Sequence, residues 1–311
     1  MQASSPNPTP SDNAAATVTL IGCGYVGIRI ARLEQTAGRI CTAVSHNRQH
    51  GAELAQLGLT VHTADLDNIA SLNTLSLSGV DLYYLVPPPT TGQRDTRLRN
   101  LRTACRHRTH PRRLVLISTS GVYGDCQGDW VDETRTPNPQ TDRARRRLDA
   151  EHIAHAWATH DGFPLSILRV PGIYGPDRLP LARLRRGLPV LNEHDSPWSN
   201  RIHVDDLARA CLAAMQCTTG GTFNVADGNP STMTDYFNQT ADALAIPRPP
   251  QIAPAQAQHQ LGPEMCSYLA ESKRLDITRL RHILGVTPVF TDLRHGLADA
   301  VRRQTLHRTA P

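Results

Sequence analysis

An α/β fold built on a doubly wound parallel sheet, with a smaller C-terminal lobe, is the architecture this sequence predicts, and three observations carry it. Short runs of β-branched and aliphatic residues recur at Val18–Ile21, Ile40–Val44, Leu59–His62, Val80–Val86, Leu114–Ile117 and Leu165–Val170. Helical patterns lie between them, at Val26–Ala37, Ala52–Leu57, Ile69–Leu75, Arg97–Arg106 and Arg145–Thr159. The strands show little polar alternation, as expected where helices cover both faces of a parallel sheet. Six strands in this order indicate a sheet of the Rossmann type, and 311 residues leave room for a second lobe.

Taken in chain order, residues 1–16 are rich in Pro, Ser, Asn and Ala without periodicity and read as a disordered tail. The first strand then runs directly into Gly22-Cys23-Gly24-Tyr25-Val26-Gly27, followed by a helical pattern. The first glycine permits a tight turn, the second lets a pyrophosphate approach the backbone, and the third allows close helix–strand packing. The helix N-terminus adds free N–H donors and positive dipole, so the segment predicts a dinucleotide site in which Tyr25 and Val26 take part. At the end of the second strand stand Ser45-His46-Asn47-Arg48, where an NAD site would carry an acid for the ribose 2′-hydroxyl. Ser45, Asn47 and Arg48 suit a 2′-phosphate, so NADP(H) is expected over NAD(H), with NAD(H) still allowed. Asp65 and Leu66 end the third strand beside the adenine, or Asp65 only caps the next helix. Val86 and Pro87 follow the fourth strand, where Pro87-Pro88-Pro89 forms a rigid wall beside the cofactor. Residues 17–176 form the nucleotide-binding unit, 202–226 return to it, and 177–201 with 227–311 build the C-terminal substrate lobe.

Composition excludes several other classes. With 39% hydrophobic and 20% charged residues the chain can build a core and is not disordered. No apolar run reaches the roughly 18 residues of a membrane span, and the N-terminus lacks a signal-peptide pattern. The seven cysteines form no Cys-x-x-Cys pair, which fits reduced thiols in the cytoplasm. Of 33 basic residues only Lys273 is lysine, and the arginine clusters at 94–113 and 143–147 lack interleaved aromatics. They read as solvated helix faces, so nucleic acid is not an expected partner. The pairs His152/His155 and His107/His110 lack a carboxylate at ligand spacing, and no metal is expected. A small-molecule substrate is the expected partner, a membrane is not, and a homodimer is allowed.

Further motifs carry a family resemblance. After the fifth strand comes Ile117-Ser118-Thr119-Ser120-Gly121-Val122-Tyr123-Gly124-Asp125, and after the sixth Leu168-Arg169-Val170-Pro171-Gly172-Ile173-Tyr174-Gly175-Pro176. Then follow Ile202-His203-Val204-Asp205-Asp206-Leu207-Ala208, Gly221-Thr222-Phe223-Asn224-Val225-Ala226 and Ser272-Lys273-Arg274. In this order the chain resembles the extended short-chain dehydrogenase/reductases, the NAD(P)-dependent epimerases and dehydratases, from Thr17 to about Arg302. The resemblance implies that Thr119 is the catalytic Ser/Thr whose hydroxyl holds the reacting substrate oxygen.

One departure is plain. The family's Tyr-x-x-x-Lys pair, which exchanges the substrate proton and holds the nicotinamide ribose, falls on Arg143 and Arg147. Arginine does not exchange protons near neutral pH, although Arg147 can still bind the ribose. The chain therefore resembles atypical members that lack the tyrosine. Tyr123 is the first candidate for a replacement acid/base, with Asp125, Glu133 and His203 beside it, although its pattern context suits a packing role better. The expected activity is that of an oxidoreductase or epimerase acting on a small hydroxyl, carbonyl or nucleotide-linked compound. The alternative is an NADP(H)-binding regulator without turnover.

Overall fold

Strands β1 (Val18–Ile21), β2 (Cys41–Ser45), β3 (Thr60–Thr63), β4 (Asp81–Tyr84), β5 (Arg113–Thr119), β6 (Leu165–Val170) and β7 (Gly221–Asn224) form one parallel sheet in a computed structural model that describes residues 17–105 and 110–309. Their order is β7-β6-β5-β4-β1-β2-β3, so the winding reverses between β1 and β4. The expected tail at 1–16, Arg106 and His107 lie outside the described residues.

Helices α1 (Gly27–Thr36), α2 (Arg48–Gln56), α3 (Thr96–Cys105), α4 (Asp142–Asp161) and α5 (Val204–Gln216) cover both faces. Period-two alternation sorts the strand side chains between them. Tyr83, Val115 and Ile117 enter one apolar layer with Ile30 of α1, Leu54 of α2 and Cys211 of α5. Leu82, Tyr84, Leu114 and Leu116 enter the opposite layer with Leu98 of α3 and Trp157 of α4. Burial on both faces explains why these strands read as continuous apolar runs. Strand β7 pairs in parallel with β6, from Gly221 opposite Ser166 to Asn224 opposite Arg169.

Several boundaries differ from the sequence expectation, each for a local reason. Helix α2 begins at Arg48 rather than Ala52, because Asn47 Oδ1 accepts the His50 N–H at 3.0 Å and caps it. Ile69–Thr74 is a 3₁₀ helix, started by Asn68, whose Oδ1 accepts the Ala70 N–H. Helix α4 gains three residues at its start because the Thr141 hydroxyl accepts the Ala144 N–H at 3.2 Å. It stops at Gly162, whose φ of 73° few other residues adopt.

The C-terminal lobe includes α6 (Met233–Ala243), α7 (Pro263–Leu269) and α8 (Leu293–Thr309). Small two-stranded pairs join it to the sheet domain. Trp130–Val131 runs parallel to Arg274–Leu275, and Gly172–Tyr174 runs parallel to Arg201–His203. No helix among the described residues is long and apolar enough to cross a membrane.

Candidate active site

The C-terminal ends of the strands around the winding reversal open onto a cleft of about 650 Å³. This is where open α/β sheets bind ligands. The glycine turn forms its floor. Gly22 has φ +96°, and a Cβ there would stand 2.8 Å from the Val86 amide nitrogen. A Cβ on Gly27 would meet the Gly22 carbonyl oxygen at 2.9 Å. Gly24 is different: a Cβ there would meet nothing within 4 Å, in the open cleft that this residue lines. Two glycines thus close-pack the turn, and the middle one leaves a cradle in front of the α1 N-terminus. Tyr25 and Val26 complete the floor. The Tyr25 hydroxyl donates to the Pro176 carbonyl at 2.8 Å, with the guanidinium groups of Arg29 and Arg178 over its ring. Burial pushes this phenol up to about 12 despite both arginines, so it remains a donor. These residues fit a dinucleotide.

Ser45, Asn47, Asp65 and Leu66 line the far wall. The Ser45 hydroxyl donates to the Asn47 carbonyl at 3.0 Å, while Asn47 Oδ1 caps α2, leaving the Asn47 amide group as the free donor. Asp65 caps no helix; its Oδ1 accepts the Asp67 N–H at 2.9 Å. Arg48 does not line the cleft. It occupies the exposed first position of α2, a correction to its expected place in the cofactor wall. His46 and His50 stand there instead, and His50 Nε2 lies 3.0 Å from the Cys23 carbonyl oxygen of the glycine turn.

Val86 and Pro87 form the inner wall, and two arginines hold their carbonyl groups. Arg147 Nη1 donates to Val86 O at 3.0 Å, and Arg97 Nη1 donates to Pro87 O at the same distance. Arg97 also reaches Asp67 through Nη2 at 2.7 Å, which holds that carboxyl below its ordinary range. Burial lowers the Arg147 pKa, with Asp95 opposing the shift. Arg97, Arg178 and His50 escaped the sequence reading because no local spacing connects them with the glycines.

Thr119 ends β5 and starts the turn Ser120–Tyr123, where its Oγ1 accepts the Gly121 N–H at 3.2 Å. Thr119 is half-buried and, like Arg48, is not among the residues that line the cleft. Behind it lies a buried charge cluster: Glu151 of α4 accepts from Ser118 at 2.5 Å and from Arg169 at 3.2 and 2.8 Å. That cluster locks β5, β6 and α4 together and fixes the helix that bears Arg143 and Arg147.

Residues 18–226 match the NAD dependent epimerase/dehydratase family. The chain belongs to that family. Among relatives, the y4nG protein of Sinorhizobium fredii (strain NBRC 101917 / NGR234) is 27% identical over 199 residues, 58% of this chain and 50% of that one. The chain thus spans half the length of this relative. Protein YeeZ of Escherichia coli (strain K12) is 26% identical over 252 residues, 75% of this chain and 85% of YeeZ. A conserved protein of unknown function from Silicibacter pomeroyi DSS has a similar structure, with a TM-score of 0.80 and 28% identity. That match covers 94% of this chain and 100% of the other.

In this epimerase/dehydratase family member, the four expected replacement acid/bases are structural, a correction that begins with Tyr123. Its side chain is 1% exposed, does not line the cleft, and donates to Asn224 Oδ1 at 2.8 Å under the Arg169 guanidinium. Burial pushes this phenol up to about 12. Asp125 accepts the Gln127 and Ser272 N–H groups, and Glu133 accepts the Asn224 N–H at 2.7 Å. His203 is fully buried against Phe290 and accepts the Asp205 N–H; burial pushes its imidazole down to about 4. His203, Asp205 and Asp299 do bring three potential metal ligands together. The Arg303 guanidinium already pairs with both carboxylates, and Arg29 pairs with Asp205, so this is an ion-pair network.

Proposed function

We propose that this protein binds NADP(H) in the cleft and acts as an oxidoreductase or epimerase on a small hydroxyl or carbonyl compound. The observation that carries the reading is the open cradle at Gly24, set between two close-packed glycines at the winding reversal of the sheet. The absence of a carboxylate at the end of β2, with His46, Asn47 and His50 on that wall, supports NADP(H) over NAD(H). When bound, the nicotinamide supplies or accepts a hydride. The chain's own groups bind and orient: the α1 N-terminus faces the pyrophosphate, Arg147 faces the nicotinamide ribose, and the Thr119 hydroxyl donates to the substrate oxygen. Free thiols on all seven cysteines accord with work in the reducing cytoplasm.

Titration by nicotinamide fluorescence tests the reading. NADPH is expected to bind about ten- to a hundredfold tighter than NADH, the worth of one charge-assisted contact. Equal affinities reject the NADP(H) preference, and failure to bind either removes the cofactor reading. The presence of arginine at both 143 and 147 keeps one rival in play, an NADP(H)-binding regulator. Tight binding with no turnover on a panel of alcohols, ketones and aldehydes would decide for that rival.

A further inference from the structure

We propose that Arg178, carried by the turn after Gly172–Tyr174, clamps the pyrophosphate of the bound dinucleotide at the glycine turn. The proposal rests on the dinucleotide reading above and adds to it a binding residue from a distant segment.

Three arginines line the cleft: Arg97, Arg147 and Arg178. The first two are engaged. Arg97 pairs with Asp67 and donates to Pro87 O, while Arg147 donates to Val86 O and has its charge offset by the buried Asp95. Arg178 is different. Among the described residues its side chain meets no carboxylate within ion-pair distance and no carbonyl oxygen, only the face of the Tyr25 ring, 4.7 Å from guanidinium carbon to centroid. Arg29 also lies over that ring, but its Nε donates to Asp205 at 3.0 Å and its Nη1 to Tyr25 O at 2.7 Å. Arg178 therefore carries the free guanidinium of the cleft.

Its position is held from both ends. Gly175 has φ +149°, and a Cβ there would stand 2.7 Å from Tyr25 Oη and 2.8 Å from Val204 Cγ1, so the chain runs hard against the tyrosine. Tyr25 Oη donates to the next carbonyl, Pro176 O. The Arg178 N–H then donates to Gly175 O at 3.1 Å, and Asp177 has φ 64°, a tight turn that returns Arg178 onto the ring. Tyr25 directly follows Gly24, so this guanidinium stands beside the open cradle.

Charge explains what it would take there. A helix N-terminus supplies only about half a positive charge. A pyrophosphate diester carries a negative charge on each phosphate, so the glycine turn alone leaves it under-compensated. A guanidinium offers two parallel N–H donors to phosphate oxygens, and exposure to water keeps Arg178 solvated until the anion arrives.

Titration by nicotinamide fluorescence, with adenosine 2′-monophosphate as a competitor, tests the clamp on Arg178→Gln. NADPH and NADH should both bind about ten- to a hundredfold more weakly and by the same factor, because both carry the pyrophosphate. Adenosine 2′-monophosphate has the 2′-phosphate without the pyrophosphate, and its affinity should not change. Arg178→Lys keeps the charge without the two-pronged geometry and should fall between. Both variants should melt within about 2 °C of the unaltered protein, since the side chain is exposed. Unchanged NADPH affinity in Arg178→Gln refutes the clamp. A loss confined to NADPH and adenosine 2′-monophosphate also overturns it, by moving Arg178 to the 2′-phosphate. Equal affinities of the unaltered protein for NADPH and NADH reject the NADP(H) preference and leave the clamp standing. Binding of neither dinucleotide removes the cofactor reading and the clamp with it.

Discussion

Replacing Gly24 by valine separates cofactor binding from folding, because the three glycines of the turn meet different surroundings. A Cβ on Gly24 would touch nothing within 4 Å, and no positive φ is recorded for it, so the fold should accept the side chain. The melting temperature should change by no more than about 2 °C. The isopropyl group would instead occupy the space through which a pyrophosphate reaches the α1 N-terminus. Losing two charge-assisted hydrogen bonds there costs about 3–6 kcal/mol, a roughly 10²- to 10⁴-fold loss of NADPH affinity. Gly22→Ala should behave in the opposite way. At φ +96°, with its new methyl 2.8 Å from the Val86 nitrogen, it should destabilise the fold by about 1–3 kcal/mol or more. Fluorescence titration with NADPH and thermal melting measure both quantities on both variants. Unchanged NADPH affinity in a folded Gly24→Val protein would refute the dinucleotide site.

Two further predictions concern buried charge. Glu151→Ala leaves the Arg169 guanidinium buried and unpaired, so urea unfolding should show a loss of about 3–5 kcal/mol, part of which a second change, Arg169→Met, restores. A loss below about 1 kcal/mol would count against the cluster as the tie between β5, β6 and α4. Burial holds the His203 imidazole near 4, among Asp205, Asp299, Arg29 and Arg303. Between pH 6.5 and 4 the unfolded chain therefore binds a proton that the native chain does not, and stability falls by up to about 3 kcal/mol as pH falls. His203→Asn should flatten that acid limb in urea midpoints measured from pH 7 to 4; an unaltered slope contradicts the assignment.

The sheet and the glycine turn were legible because their signals are local. A strand buried on both faces must be apolar at nearly every position, as β1 and β6 are, and a pyrophosphate turn needs glycine at fixed offsets. Helix starts were less legible, since the Asn47 cap on α2 competes with an equally good reading of Asn47 as a loop residue. Tyr123 failed as a catalytic candidate for a related reason. Its sequence context is the same whether the hydroxyl faces a substrate or Asn224, and only the approach of β7, about a hundred residues later, decides between them.

By itself, then, the sequence determined the parallel α/β sheet and the glycine turn between β1 and α1. The tertiary structure decided which charges meet. Arg97 reaches Asp67 and Arg178 reaches Tyr25 only because strand order and packing bring distant segments to one cleft. Periodicity records which face of an element is buried, but carries no record of what that face is buried against.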